Sequence, residues 1–303
     1  KKRARNFGVS GWTSLLIGVG STFSGFVSTH VIHINFLFVV SWFPFAFLFL
    51  KKAFDSWNMR NLGIATLFGG ISILGGYAQY TLFCSYLLFI YAAYSCISSI
   101  KIDKMQPVST IAKYALFFGI FAIFSYGLAL VQLLPSLELA AESVRTKMTW
   151  ERSIEGSLDL NGLLTLFVPK FFGYITGSGA ATPYWGGKGF HLFWETACFV
   201  GIMPLLIVIV MFKENKKKPL FVFFISLSIL ALLLMLGSNG PLYWLVFNFL
   251  PGFGSFRHPG RFAFVFLVAL VMAAGIAFDS LIVNGKNETE EEKKRKFKEA
   301  SIS

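Results

Sequence analysis

Long uninterrupted apolar stretches dominate this sequence and limit the folds open to it. They run for roughly 18 to 25 residues, the length that an α-helix needs to cross about 30 Å of hydrocarbon. The stretches are continuously apolar and lack the alternation expected of barrel strands, so helices are the expected spanning element. Of the 303 residues, 55% are hydrophobic and 14% are charged, and the mean hydropathy is +0.65. Soluble domains do not have this composition.

The pattern predicts an all-α, polytopic helical membrane protein with about eight transmembrane helices and one larger extracytoplasmic segment. Residues 1–134 hold the first five predicted helices and residues 195–283 hold the last three. Between them, residues 135–194 form an extracytoplasmic amphipathic helix and an aromatic, glycine-rich loop, and residues 284–303 form a charged cytoplasmic tail. The predicted spans are 7–28, 34–50, 61–75, 78–99, 114–134, 195–212, 219–236 and 261–283.

Local signals set some of these boundaries. Gly75 and Gly76 are expected to make the turn between the third and fourth spans. Pro135 and Ser136 look like a helix stop followed by an N-cap residue, so the amphipathic helix is expected to begin there. The chain opens with a basic run at residues 1–5 and has no initial methionine. It therefore reads as a cytoplasmic loop ahead of a span, which predicts that the N-terminal part of a longer protein is missing.

Positive charge is unevenly divided between the two sides of this topology. With the N-terminus inside, the inner segments carry 20 of the 27 Lys and Arg residues. Short cytoplasmic loops of membrane proteins carry such an excess, so both ends of the chain are expected to be cytoplasmic. The net charge of +12 is therefore attributed to the basic loops that set this orientation. A nucleic-acid partner is excluded because it needs a contiguous basic face. The inner segments are 1–6, 51–60, 100–113, 213–218 and 284–303.

Most residues able to do chemistry fall on the outer side. His30 and His33, three residues apart at the first hairpin, are interpreted as lining a polar cavity or bonding backbone at a helix end, together with Gln79 at the next outer turn. A metal site would need further ligands, and none is assigned. Glu195 opens the sixth predicted span, where the helix dipole favours a carboxylate; binding of a substrate hydroxyl or a metal is the alternative.

Other features have simpler alternatives. Trp185 lies in the aromatic loop, whose residues serve either as interfacial anchors or as a substrate platform. The three cysteines, Cys84, Cys96 and Cys198, have no metal-ligand spacing and are expected to be small buried apolar residues.

The run from Pro251 to Phe262 is the most informative short stretch. Pro259 suits the first turn of the last span, which places Arg257, His258 and Arg261 at a helix N-terminus on the outer surface. Free backbone N–H groups and two guanidinium groups make a good anion site, above all for phosphate. The alternative is that the arginines extend to lipid headgroups.

Several stretches, in order along most of the chain, resemble the YfhO family of bacterial membrane proteins, which have a GT-C-like glycosyltransferase architecture. Tyr77 and Ala78 depart from the family's Gly-His-Pro-Gln-like turn. The stretches are Phe23–Phe26 with His30 and His33, Ser41–Pro44, Gly75–Gln79, Gln132–Pro135 with Glu138, Ser143 and Arg145, Pro169–Gly173, Tyr184–Gly186, Glu195 with Gly201 and Pro204–Leu206, and Phe256–Phe262.

The resemblance implies transfer of a sugar from a polyprenyl-phosphate donor to an envelope polymer or lipid acceptor on the outer face. Arg257 and Arg261 would hold the donor phosphate, and His30, His33, Gln79 and Glu195 would line the cavity. The general base of such enzymes is an acidic residue in the first outer loop, which would lie upstream of Lys1. No cofactor is assigned, although a divalent metal fits the chemistry. The alternatives are a transporter or flippase of an envelope lipid or polysaccharide, and a non-catalytic membrane subunit.

Overall fold

The computed structural model of the protein describes residues 10–143, 148–173, 194 and 197–287, with side chains up to residue 282. Regular structure in these ranges is entirely helical and contains no strand, which confirms the predicted all-α class. Short 3-10 turns lie at Leu160–Leu166, Gly237–Asn239, Phe253–Ser255 and Pro259–Phe262. The α-helices are α1 (Gly11–Thr22), α2 (Gly25–Thr29), α3 (Ile34–Ser56), α4 (Met59–Ile73), α5 (Ala78–Lys101), α6 (Pro107–Leu128), α7 (Leu130–Ala141), α8 (Trp150–Ser153), α9 (Ile202–Val210), α10 (Phe212–Asn215), α11 (Pro219–Met235), α12 (Tyr243–Phe249) and α13 (Ala263–Asn287).

Within the described part of the chain, four helical stretches are long and apolar enough to cross a membrane: α3, α5, α6 and Pro259–Ile282. α7 and α11 are shorter apolar helices. Large apolar side chains such as Leu116, Ile123 and Phe124 are exposed along α6, as expected of a surface that faces lipid. The apolar helices indicate a membrane-embedded protein, while the larger number of about eight spans stays a prediction.

The first predicted span is divided into two helices. Ser24 is buried and acts as the N-cap of α2, because its hydroxyl accepts a hydrogen bond from the Val27 N–H. The Gly25 N–H donates to the Phe199 carbonyl oxygen at 2.7 Å, and a Cβ at Gly25 would lie 3.2 Å from that oxygen. This tertiary contact takes the place of the intrahelical bond, so the helix breaks where the apolar pattern continues.

Two other predicted boundaries are wrong. Gly201 has a φ of +89°, so α9 begins at Ile202, well after the position expected for the span at 195–212. The amphipathic helix begins at Leu130, after a break at Ala129, and not at Pro135. Ser136 does not act as its N-cap, since its hydroxyl donates to the Gln132 carbonyl oxygen within the helix. The turn predicted at Gly75 and Gly76 is confirmed, with Gly76 at a φ of +70°.

α13 lies at the centre of the bundle and packs against α1, α9 and α11. Its small residues Ala269, Ala273, Ala274 and Ala277 are fully buried. Without a hydrophobic driving force between helices in lipid, small side chains stabilise packing by letting backbones approach closely. Cys84 and Cys198 are buried and unpaired, as predicted, and Cys96 is half-buried.

Three of the basic segments lie at one end of the bundle. Trp57, after α3, packs against Tyr114 of α6 with ring centroids 5.0 Å apart. At the same end, Lys218 before α11 donates to the Ser280 hydroxyl at 2.5 Å, and Asp279 accepts from the Ser10 N–H at 2.7 Å. The starts of α3, α5 and α13 therefore lie at the other end, where the sequence placed its candidate site.

Candidate anion-binding site

The candidate site is built where the beginning of α5 meets the turn that precedes α13. The positive φ of Gly76 reverses the chain after α4, so that Gln79 falls in the first turn of α5. Pro259 occupies the first position of the 3-10 turn that continues into α13, as the sequence predicted. Its fixed φ and missing N–H suit a helix start. Local sequence signals thus bring Gln79 and Arg261 to the same end of the bundle.

Gln79 connects the two elements through both ends of its carboxamide. The Nε2 group donates to the Arg257 carbonyl oxygen at 2.9 Å, and Oε1 accepts from the Arg261 Nη1 group at 2.6 Å. The Gln79 side chain is buried, so these bonds replace water at a group that would be costly to leave unpaired. A single neutral side chain fixes the guanidinium of Arg261 and the backbone of Arg257 together.

Arg261 also lies over an aromatic platform. Its guanidinium carbon is 5.5 Å from the centroid of the Tyr77 ring, within cation–π range. Tyr77 stacks on Tyr80, with centroids 4.8 Å apart, and Tyr80 is fully buried. The position of Arg261 is therefore set by a rigid group of side chains, and its positive charge is held at the end of the bundle.

Arg257 has a different partner from Arg261, and its side chain is more exposed to solvent than that of Gln79. Its Nη1 group donates to the Glu155 carboxylate at 3.3 Å, and both side chains are about half exposed. Glu155 lies just after α8, within residues 135–194, the segment that the sequence predicts to be extracytoplasmic and that is named the outer segment for that reason. The sequence analysis assigned this residue no role, since nothing in its local pattern distinguishes it from the other carboxylates of the same segment.

His258 fixes the turn between the two arginines. Its φ of +66° is in the left-handed region, which a non-glycine residue adopts only when its surroundings hold it there. The buried His258 ring pairs through Nδ1 with the Glu155 carbonyl oxygen at 3.0 Å. Gly156 has a φ of +72°, and a Cβ there would lie 2.9 Å from His258 Nδ1. The outer segment therefore packs directly against this turn.

The expected free backbone N–H groups at this helix start are engaged within the protein. The Gly260 N–H donates to the Gly156 carbonyl oxygen at 3.0 Å, and the Arg261 N–H donates to the His258 carbonyl oxygen at 3.1 Å. Pro259 has no N–H to offer. The expectation of backbone donors at these positions was wrong, because the outer segment packs on the turn. Anion binding at this place depends on the guanidinium groups.

A second set of contacts anchors the outer segment to the end of α11. The Leu158 N–H donates to the Met235 carbonyl oxygen at 2.8 Å, and the Ser238 N–H donates to the Ser157 hydroxyl at 3.1 Å. The Tyr243 hydroxyl donates to the Ser153 carbonyl oxygen at 3.4 Å. Burial raises the pKa of Tyr243 to about 12, so this hydroxyl keeps its proton at neutral pH. Residues 153–158 thus form a fixed strap across the site.

The histidines of the first hairpin are adjacent to this layer. His30 is fully buried, and its Nδ1 pairs with the Phe26 carbonyl oxygen at 2.9 Å while its Nε2 lies 3.4 Å from the Tyr80 hydroxyl. The His30 and His33 rings are 5.4 Å apart between centroids. Both His30 nitrogens point at protein groups, which matches a structural role at a helix end. In the described ranges no group of three His, Cys, Asp or Glu residues could hold a metal ion.

An apolar cavity of about 440 Å³ lies beneath the polar layer. Phe264, three residues after Arg261, packs against Tyr80 with centroids 5.8 Å apart and lines this cavity. Val27, Phe43 and Phe47 also line it. A hydrocarbon chain is the kind of ligand that such a cavity suits, because its lining is mostly apolar.

The structure brings together Gln79, the Arg257 backbone and Arg261, with His258 behind them and the His30–His33 pair beside Tyr80. Glu195 and Trp185 lie outside the described residues, so their predicted roles stay predictions. The sequence interpretation missed Glu155 and the aromatic pair of Tyr77 and Tyr80. Tyr77 stood out only as a departure from the motif of the resembling family.

Comparisons with known proteins leave the chain without an assigned relative. No protein-family model, no curated protein and no solved structure matches it. The functional argument therefore rests on the geometry above and on the motifs in the sequence.

Proposed function

We propose that this chain is the membrane part of a glycosyltransferase that moves a sugar from a polyprenyl-phosphate donor to a cell-envelope acceptor. The observation that carries the proposal is a fixed guanidinium group next to an apolar cavity. Arg261 is held by Gln79 and Tyr77, and Phe264 lines the cavity less than one helical turn further along. A phosphate attached to a long hydrocarbon chain needs these two environments side by side.

The chemistry asks for a positive group at the leaving phosphate. In the transfer, an acceptor hydroxyl oxygen forms a bond to the anomeric carbon as the bond from that carbon to the phosphate oxygen breaks. The phosphate leaves with the electron pair, and the hydroxyl proton passes to a base. Fixed guanidinium groups stabilise the negative charge that develops on the phosphate. Arg261 and Arg257 are assigned this role, with Gln79 positioning Arg261 and His30 supporting the layer through Tyr80. His33, Glu195 and Trp185 are assigned to the surrounding cavity and its outer cover.

Transfer can be measured directly. The natural full-length protein, purified into lipid vesicles, is incubated with polyprenyl phosphate bearing a radiolabelled sugar and with candidate envelope acceptors. We expect label to move to an acceptor in a protein-dependent manner. Movement of the labelled lipid between leaflets without any transfer would instead favour a flippase. Neither activity, with a partner protein required for transfer, would favour a non-catalytic subunit.

The proposed site faces the outside of a bacterial cytoplasmic membrane, and the basic end of the bundle faces the cytoplasm. The excess of Lys and Arg in the inner segments supports this orientation. Cysteine introduced at Glu151, an exposed residue of the outer segment, is expected to react with a membrane-impermeant maleimide on intact cells. Cysteine introduced at Gln106, exposed at the basic end, is expected to react only after permeabilisation.

The unsubstituted chain gives the background for this labelling. Cys84 and Cys198 are buried and Cys96 is half-buried, so any background signal is expected to come from Cys96, and it is subtracted from the signal of each variant. The reverse labelling pattern would place Arg257 and Arg261 in the cytoplasm and would contradict transfer on the outer face.

A further inference from the structure

We propose that Glu155 is the resting counter-ion of Arg257, and that the phosphate group of an incoming ligand displaces it. The proposal rests on the anion-binding role assigned to Arg257 above and adds a competing group to that site. It concerns the Glu155 carboxylate, which exchanges with the ligand, and leaves the backbone of the strap in place.

The contact between the two side chains has the features of a replaceable pair. One nitrogen of Arg257 meets one carboxylate oxygen at 3.3 Å. Strong arginine–carboxylate pairs make two parallel bonds at about 2.7–2.9 Å. The side chains of Arg257 and Glu155 are 48% and 46% exposed, so water screens their attraction. A pair of this kind neutralises Arg257 but holds it weakly.

Phosphate is the better partner for this guanidinium. It offers several oxygens in an arrangement that matches the fork of N–H donors. Inorganic phosphate and a phosphate monoester also carry more charge at neutral pH than one carboxylate, whereas a sugar-bearing phosphodiester carries one negative charge and competes through its geometry. Arg257 is thus occupied in the resting protein by an anion of the protein itself, which a phosphate can replace.

The strap keeps its position when the carboxylate moves. The Glu155 carbonyl oxygen pairs with His258, the Gly156 carbonyl oxygen accepts from Gly260, and the Leu158 N–H donates to Met235. None of these bonds uses the Glu155 side chain. Displacement of the carboxylate consequently needs only side-chain rotation, and its return to Arg257 helps the phosphate product to leave.

The substitution that tests this idea is Glu155→Gln, which keeps the size of the side chain and removes its charge. Binding of inorganic phosphate is measured by calorimetry on the full-length protein in nanodiscs. We expect Glu155→Gln to tighten phosphate binding about two- to fivefold, the range that corresponds to the worth of a half-exposed ion pair. Glu151→Gln, which removes an exposed carboxylate from the same outer segment, is the matched control and is expected to change nothing.

A double-mutant cycle assigns the effect to Arg257. In the Arg257→Ala background, the further change Glu155→Gln is expected to leave phosphate affinity unaltered, because the competing pair no longer exists. A second arm replaces inorganic phosphate by a polyprenyl monophosphate in the nanodisc. An equal gain in both arms locates the exchange at the phosphate group, whatever the source of the phosphate.

Unchanged or weaker phosphate binding by Glu155→Gln would overturn the counter-ion proposal, and so would an equal gain in the Arg257→Ala background. If the wild-type protein binds phosphate and Arg257→Ala binds it measurably more weakly, the anion site stands even though the counter-ion proposal fails. If the wild type binds neither inorganic nor lipid-linked phosphate, the anion site itself is refuted and the proposed function falls with it.

Discussion

Replacing Arg261 by alanine is expected to lower the rate of sugar transfer about 10²–10³-fold, the usual effect of removing one fixed donor from a developing anion. Arg261 is the more rigidly placed of the two arginines, since Gln79 and Tyr77 both hold it. Arg257→Ala is expected to have a smaller effect of the same sign, and the double substitution to abolish transfer. Initial rates with a radiolabelled polyprenyl-phosphate sugar measure all three variants.

Two controls separate this role from a structural one. Arg261→Lys keeps the charge but lacks the planar fork, so transfer is expected to fall between the wild type and Arg261→Ala. Arg152→Ala removes an exposed arginine of the same outer segment and is expected to transfer normally. Membrane insertion and thermal unfolding are followed for each variant. Near-normal transfer by the double variant would refute the assigned role of the arginines.

Replacing Gly69 by alanine is expected to destabilise the bundle by about 1–3 kcal/mol, as overpacking of a tight interface does. Gly69 faces α6, where an added Cβ would lie 2.5 Å from the Ser125 hydroxyl oxygen and 3.0 Å from the Phe121 ring. The Ser125 hydroxyl also donates to the Thr66 carbonyl oxygen at 3.2 Å, so it cannot move without losing a buried hydrogen bond. The free energy of unfolding in mixed detergent micelles measures the loss.

Gly63 provides a matched comparison on the same helix. Nothing lies within 4 Å of a Cβ built at Gly63. Gly63→Ala is therefore expected to leave stability unchanged or to raise it by up to about 1 kcal/mol, because alanine is the better helix former. Equal stability of the Gly69 and Gly63 variants would contradict the close packing of α4 on α6.

The helical class and several turns of this protein follow from local sequence. Continuous apolar stretches predict α3, α5, α6 and α13, and Gly76 and Pro259 mark turns that the structure contains. The first span was predicted as one helix, because apolar character does not report the capping by Ser24 or its buried contact with residue 199. Helix propensity is a property of short stretches of sequence, whereas the break between α1 and α2 comes from a tertiary contact.

The sequence predicts some residues of the candidate site, but not the hydrogen bonds and the ion pair that connect them. Arg257, Arg261 and Gln79 were singled out from motif and topology. The bond between Gln79 and Arg261 joins residues 182 positions apart, and the contact of Glu155 with Arg257 spans 102 positions. No periodicity in a single sequence carries information over such distances. For the same reason the sequence could not show that the Gly260 N–H, just before α13, donates to the Gly156 carbonyl oxygen of the strap.

The nearness of Arg261 to the apolar cavity has a consequence for ligand selection. Since Phe264 follows Arg261 by three residues and lines the cavity, a charged head and an oily tail of one molecule would be bound within a single helical turn. Once either half has bound, the other is held at a high effective concentration beside its own subsite. Under the proposed function, water-soluble phosphates and neutral lipids would each satisfy only half of this arrangement, and a molecule that combines a charged head with an apolar chain would be selected.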